Sequence, residues 1–347
     1  MLDYSKVAPN EILNVDELNA IGTEAWTTEF FSPYKPKSFV FQCKDGERVV
    51  GCEGYLDYLL FYNGELCQTH RSERTLISPT HRGQGIFEAL VLECDSAANA
   101  QQSHMCWGAT AALKPFVRAG FDPFVGYRNY IFYPAQRSLI SRLTNILRSL
   151  DAVNPFGLYR AWKSRNIEEI KRILAFFCLF KPQNREKAIL QIAAFSEAHV
   201  FDMLRRNSQS NYVIYPHQEL FAWLSEKNLS YGRHSYFIDG ACVGYVIFKM
   251  SPATRILHVV DLFSTDPCWV VAMIDKLVET YSEAGMSAVF LALNEKNTTH
   301  SAWIKQFRTA RALIFPKVGS FIIKTLAGAP KKIEIQDLLL TDLWLEL

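Results

Sequence analysis

The sequence predicts an α+β chain of two tandem domains, each a mixed, mostly antiparallel twisted sheet flanked by helices, joined by a helical connector. Three observations carry that reading. Short β-prone runs alternate with segments whose apolar residues recur at helical spacing. Asp45-Gly46, Asn63-Gly64 and Asp239-Gly240 fall between strand-like runs, which is the signal for antiparallel hairpins. The order of elements in the first part of the chain recurs in the last part. The length of 347 residues agrees with roughly two domains.

From the N-terminus, residues 15–23 read as helix and residues 38–44 as a strand. Asp45-Gly46 then turns the chain into long strand material over 49–62, and Asn63-Gly64 turns it again into a strand over 65–77. Residues 86–102 form an amphipathic helix, with Ile86, Leu90, Val91, Cys94 and Ala98 on one face. A short apolar strand over 104–108, a helix over 111–119 ending at Gly120-Phe121, and a strand over 125–133 complete the first domain, residues 1–134. Pro134 opens a connector, residues 135–210, read mainly as helices with basic faces. Its charges are interrupted by Asp151, Glu168 and Glu169, so a solvated connector face is favoured over a contact for an acidic surface. In the second domain, residues 211–347, Asp239-Gly240 and the Val-Gly strand after it echo Asp45-Gly46 and its successor. Strand (256–262), helix (267–284), strand (287–293), helix (299–311) and strand (320–325) follow in the same order as before.

Composition narrows the function. At 49% apolar and 21% charged the chain can fill real cores. A net charge of +2, with no basic run, argues against nucleic acid as a partner. The strongest apolar run, residues 173–180, is too short to span a bilayer, and no signal-peptide pattern opens the chain, so a cytoplasmic protein is expected. The eight cysteines are scattered and lack metal-ligand spacing; they read as buried hydrophobes in a reducing compartment, and no metal is expected.

The stretch Ile77-Ser78-Pro79-Thr80-His81-Arg82-Gly83-Gln84-Gly85-Ile86-Phe87 is the chemical centre of the sequence. A strand runs into a basic, glycine-bearing turn and then directly into a helix. That order makes an anion site, because the N–H groups of the first helical turn lack partners and the helix dipole adds positive charge. Gly83 and Gly85 allow close backbone approach and positive φ. A Walker loop is excluded for want of Gly-Lys-Ser/Thr, and a dinucleotide fingerprint is excluded because Glu88 stands at the third glycine position.

Arg82-Gly83-Gln84-Gly85-Ile86-Phe87 resembles the Arg/Gln-x-x-Gly-x-Gly/Ala signature of the GCN5-related N-acetyltransferase (GNAT) superfamily, with Phe87 departing at the last position. The elements around it, from the preceding strand to Gly120-Phe121, follow that superfamily's order. The resemblance implies acetyl-CoA as co-substrate. Its pyrophosphate would lie on the backbone of Gly83, Gln84, Gly85, Ile86 and Phe87 beside Arg82. Its pantetheine arm would lie along Leu76, Ile77 and Ser78, in a splay between the fourth and fifth strands, with Thr110 within reach. At the matching turn of the second domain, Ser264-Thr265-Asp266-Pro267 lacks the motif, and Asp266 would oppose an anion, so this copy is read as degenerate.

Direct acetyl transfer to an amine, through a tetrahedral intermediate, needs a base. Glu73 on the motif strand is the first choice and Glu53 on its neighbour the second. Alternation places Glu73, Thr75 and Ile77 on one face, and an ion pair of Glu73 with Arg71 or Arg74 is the competing reading. The superfamily's usual acid, a tyrosine four residues before Gly-Phe, is Phe116 here, which has no proton to give. The acceptor expected is a small-molecule amine, and an amino sugar fits the aromatic residues near the cleft. The alternatives are an aminoacyl-tRNA-dependent Fem-type ligase and a non-catalytic CoA-binding protein. Acceptor identity, acyl chain length and oligomeric state are left open by the sequence.

Overall fold

The structure is a computed structural model and describes residues 2–8, 30–110, 112–132, 189–227, 229, 231–251, 256–282, 286, 288–309 and 313–339. In chain order the elements are β1 (Leu2–Lys6), β2 (Phe39–Asp45), β3 (Arg48–Tyr62), β4 (Glu65–Ile77), α1 (Ile86–Ala100), β5 (Met105–Ala109), α2 (Leu113–Arg118), β6 (Asp122–Phe132) and β7 (Gln191–Ala194). They continue with α3 (Glu197–Asn207), β8 (Val213–Ile214), α4 (Gln218–Glu226), β9 (Gly232–Ile238), β10 (Ala241–Met250), β11 (Ile256–Ser264), α5 (Pro267–Ser282), β12 (Ala288–Leu293), α6 (Thr298–Thr309) and β13 (Leu313–Thr325). The helix expected over 15–23 and the connector over 133–188 lie outside the described residues. Where the connector is described, β7 is a strand paired with β9 rather than helix, and α3 follows it.

The chain forms two compact units. The first comprises Met1–Val125, Ser208–Leu229 and Gly319–Asp337; the second comprises Gly126–Asn207, Ser230–Val318 and Leu338–Leu347. This division differs from boundaries at 134 and 210, because each half of the sequence lends a strand to the unit built mainly from the other.

In the first unit β1, β2, β3 and β4 pair antiparallel in order. Asp45-Gly46 and Asn63-Gly64 make the hairpin turns, with Gly46 at φ 64°, Asn63 at φ 50° and Gly64 at φ 80°. The chain then crosses through α1 and returns as β5, parallel to β4. The outer neighbour of β5 is the end of β13, antiparallel from Phe321↔Ala109 to Thr325↔Met105. Its burial explains the pairing: Phe321, Ile322 and Ile323 are buried, and the Phe321 ring stacks on Trp107 at 6.0 Å. Ile86, Phe87, Leu90, Val91, Cys94 and Ala98 turn the apolar stripe of α1 onto the sheet. Each large side chain so buried contributes about 1.5–3 kcal/mol. The opposite face of the sheet is covered by α4, whose Trp223 meets Tyr58 edge-to-face at 6.2 Å.

The second unit repeats the plan. β9, β10 and β11 pair antiparallel, α5 makes the crossover, and β12 returns parallel to β11. β12 is flanked by the end of β6, antiparallel from Val289↔Phe132 to Leu293↔Arg128. Asp239 (φ 49°) and Gly240 (φ 79°) occupy the turn that Asp45-Gly46 occupies in the first unit. The two units are tandem copies of one α+β design.

Candidate active site

The site begins with a fault in the β3–β4 ladder. Cys52 pairs with Leu76 and Gly54 with Glu73, so Arg74 and Thr75 together oppose Glu53. Arg74 absorbs the extra residue at φ 57°, a conformation that costs a non-glycine residue about 1–3 kcal/mol. The bulge overturns the strict alternation expected of this strand. Glu73 shares a face with Arg71, whose Nη2 lies 2.8 Å from Glu73 Oε1. Thr75 turns to the other face with Ser72, and both hydroxyls donate to the Glu53 carboxylate, Ser72 at 2.5 Å.

Glu53 is therefore enclosed beneath α1 rather than on a cavity wall. It is completely buried, and that burial pushes its pKa up to about 8, against the hydroxyl hydrogen bonds that pull it down. Its folded pKa exceeds the ordinary carboxyl value of 4.5, so between those two values the folded chain binds the extra proton. Stability from this group is complete below about 4.5 and is lost as pH rises through about 8. Glu53→Gln, which keeps the shape without the charge, is expected to flatten the fall in stability across that window. Urea midpoints of the two proteins at pH 5 and pH 8 check this; parallel pH profiles would contradict it.

Past the bulge the sheet opens. The β4–β5 ladder holds only at His70↔Cys106 and Arg71↔Trp107, whereas β4 runs on to Ile77. A cavity of about 740 Å³ fills the gap. Among the residues named from sequence, Glu73, Leu76, Ile77, Arg82, Gly83, Gly85, Ile86, Phe87 and Thr110 line it; Glu53, Ser78 and Gln84 do not. Ser78 is buried, with its N–H on Val50 O at 2.8 Å. Gln84 is exposed and its Nε2 reaches Thr80 O at 3.5 Å. The sequence missed Arg74 and Arg118 as wall residues; neither has a local signal, since one is placed by the bulge and the other by the packing of α2.

The loop at the cavity mouth has the geometry that the glycines require. Gly83 (φ 79°) and Gly85 (φ 77°) both take the left-handed conformation, and a Cβ built on either would meet nothing within 4 Å. Gly85 caps α1 without any side-chain bond, and the first helical bond runs from Ala89 N–H to Gly85 O at 3.1 Å. The N–H groups of Ile86, Phe87 and Glu88 thus precede the first helical bond, at the positive end of the dipole. The exposed Arg82 donates from Nε to Ile77 O at 3.3 Å. Glu88, in the first turn of α1, is paired with Arg118 Nε at 3.0 Å, and Asp45 Oδ2 lies 3.4 Å from His81 Nε2. The backbone cradle and its cations fit a pyrophosphate.

The matching turn of the second unit is closed by its own carboxylate. Asp266 Oδ1 accepts the Cys268 N–H at 2.9 Å, one residue into α5, so this helix carries an internal anion where α1 carries a bare glycine. Phe116 lines the cavity and packs edge-to-face on Phe87 (4.8 Å) and Phe121 (5.2 Å), an apolar wall with no transferable proton. Among the described residues no group of three or more His, Cys, Asp or Glu is placed to hold a metal, and no helix is long and apolar enough to cross a membrane.

No family model matches the chain, and no curated protein matches it. Solved structures do. A probable N-acyltransferase from Enterococcus faecalis superposes with a TM-score of 0.57 at 10% identity, over 94% of this chain and 73% of that one. A GCN5-related N-acetyltransferase from Kribbella flavida gives 0.56 at 14% identity, over 94% and 71%. The glucosamine N-acetyltransferase region of a fungal multi-domain β-N-acetylglucosaminidase gives 0.52 at 7% identity, over 93% of this chain and 38% of that one. At these identities the likeness establishes the fold, and the chemistry has to be argued from the site.

Proposed function

We propose that this chain, which carries the GCN5-related N-acetyltransferase fold, is an acyl-CoA-dependent N-acyltransferase that moves an acetyl group from acetyl-CoA to the amine of a small molecule. The carrying observation is the loop Arg82–Phe87: two left-handed glycines facing open space, an uncapped helix and an adjoining cavity that runs along Leu76 and Ile77. Acetyl-CoA supplies the thioester; everything else falls to the chain. The backbone N–H groups from Gly83 to Phe87 and the Arg82 guanidinium hold the pyrophosphate, with Gln84 on the loop's outer side. The open edge of β4 at Leu76 and Ile77 pairs with the pantetheine amides, and the buried Ser78, next in the chain, anchors the end of that edge on Val50 O. Thr110, whose Oγ1 already accepts the Ala112 N–H at 3.0 Å, borders the arm.

Glu73, fixed on the cavity wall by Arg71, takes the ammonium proton, directly or through water. Glu53, whose burial favours its protonated form, serves to fix Ser72 and Thr75. Water replaces a side-chain acid at the departing thiolate, since Phe116 holds that place. The amino-sugar acceptor reading draws support from the glucosamine-acetylating neighbour alone.

The test is calorimetry with acetyl-CoA followed by thiol release in the presence of amines. Saturable binding with amine-dependent thiol release is the expected result. Binding without release from any amine would leave a CoA-binding protein. No binding by the folded chain would overturn the reading.

A further inference from the structure

On the sheet face of the first unit away from α1, a guanidinium is buried with most of its donors unused. Arg71 is 6% exposed. Its Nη2 meets Glu73, whereas Nε and Nη1 have no hydrogen-bond partner among the described residues. Its plane lies over the Trp107 indole, with Cζ 5.7 Å from the ring centroid. Aromatic contact offsets part of the lost hydration, but a buried charged donor without an acceptor is costly and rare. A second buried cation shares this face. Lys35 Nζ donates to Asp57 O at 2.7 Å and sits 3.5 Å from the Tyr58 centroid. Tyr58 in turn lies 5.2 Å from Trp107. Tyr58 and Trp107 thus form an aromatic floor with a cation at each end. Burial above all, with the charges of Lys227 and Arg71 adding to it, lowers the Lys35 pKa to about 7 despite Asp57.

Arg71 is not itself a wall of the cavity but adjoins it through its bond to Glu73. Arg71 stands on the last rung of the β4–β5 ladder, and Ser72 and Glu73, the next residues, are cavity walls. We propose that Arg71 is an acceptor-binding residue that holds a carboxylate, so that the amine acylated here is an amino acid or a derivative with a free carboxylate. The reading rests on the acyltransferase assignment above and narrows its acceptor. Arg71 and Glu73 then read the two ends of one zwitterion: the unused guanidinium donors take the carboxylate, and Glu73 faces the ammonium that must lose its proton. An amino sugar offers the unused donors only neutral hydroxyl acceptors, without the charge or the bidentate fit of a carboxylate.

The experiment uses the full chain loaded with acetyl-CoA. Each of the twenty standard amino acids, its carboxamide, and glucosamine are offered as acceptors, with thiol release followed and, in parallel, equilibrium binding measured by calorimetry. One or more amino acids should bind or react at least tenfold better than the matching amide. Arg71→Gln should raise KM for that acid by about ten- to a hundredfold and erase its advantage over the matching amide, with KM for acetyl-CoA changed little; kcat falls as well, because Glu73 loses its anchor, and Arg71→Lys should recover part of both losses. Acids and amides used alike, glucosamine preferred, or acid binding unchanged in Arg71→Gln would overturn the carboxylate proposal while leaving the acyltransferase reading intact. Acetyl-CoA bound with no amino acid recognised above its amide, in turnover or in binding, also overturns it. Failure of acetyl-CoA itself to bind would instead remove the reading on which it rests.

Discussion

Gly85→Glu is expected to reduce acetyl-CoA binding by more than about a hundredfold while the protein still folds. The Cβ at this position would point into open space, so nothing in the core has to move. The added cost is conformational: a side chain at φ 77° is strained by about 1–2 kcal/mol, small against the stability of a domain. The ligand meets a larger obstacle. A carboxylate at the capping position would lie where the helix N–H groups converge, satisfying them internally and repelling a pyrophosphate. The second unit displays this arrangement natively, with Asp266 bound to the Cys268 N–H. Gly85→Ala separates the two effects, since it brings the strain without the charge, and should weaken binding far less. Calorimetry on both variants, beside circular dichroism to verify folding, decides the matter. Binding by Gly85→Glu at wild-type strength would show that the loop does not receive the phosphates.

Lys324→Met is expected to destabilise the first unit by about 3–5 kcal/mol. Lys324 lies on β13, far along the chain from its partners. Its Nζ bonds Asp95 Oδ2 at 2.5 Å and Ala119 O at 2.6 Å, and Asp95 Oδ1 accepts the Tyr55 hydroxyl at 2.8 Å. The side chains of Lys324 and Asp95 are 19% and 10% exposed, so water replaces little of what is lost. Removing the cation alone strands a carboxylate under α1. Removing both charges, in Lys324→Met with Asp95→Leu, should restore much of the loss. Urea unfolding of the single and double variants measures the coupling. Additive losses would mean that the pair contributes nothing beyond its separate packing.

What was legible in the sequence was what is local. The strand over Glu65–Ile77, the turn and the helix starting at Ile86 follow from hairpin chemistry, two glycines and a 3.6-residue period, and the structure gives those same bounds. The equivalence of the two units was readable from Asp45-Gly46 and Asp239-Gly240 because each turn needs positive φ. The bulge at Arg74 was not, since an arginine carries no marker of left-handed backbone, and with it went the facing of Thr75 and the burial of Glu53. Nor was the placement of Phe321–Thr325 beside β5 readable, because pairing between residues two hundred positions apart leaves no periodicity in either strand. The pairing of Arg71 with Glu73 is one that strand alternation allows; the unused nitrogens of Arg71 follow only from the way Trp107 and its neighbours enclose it.

The strand exchanged into the first unit also sets an order of events in time. While the chain is being synthesised, everything up to Asp122 can leave the ribosome and still lack one edge of its sheet, because Gly319–Thr325 has yet to be made. Until then the β5 edge lacks its outer strand and the Trp107 indole lacks the Phe321 ring stacked on it, a state in which nascent chains associate wrongly or recruit chaperones. A protein truncated before Gly319 would be held in that state permanently. The unit that carries the loop is in that sense finished from about two hundred residues further along the chain, so the loop, though local in sequence, gains its full support only after Gly319–Thr325 has been made.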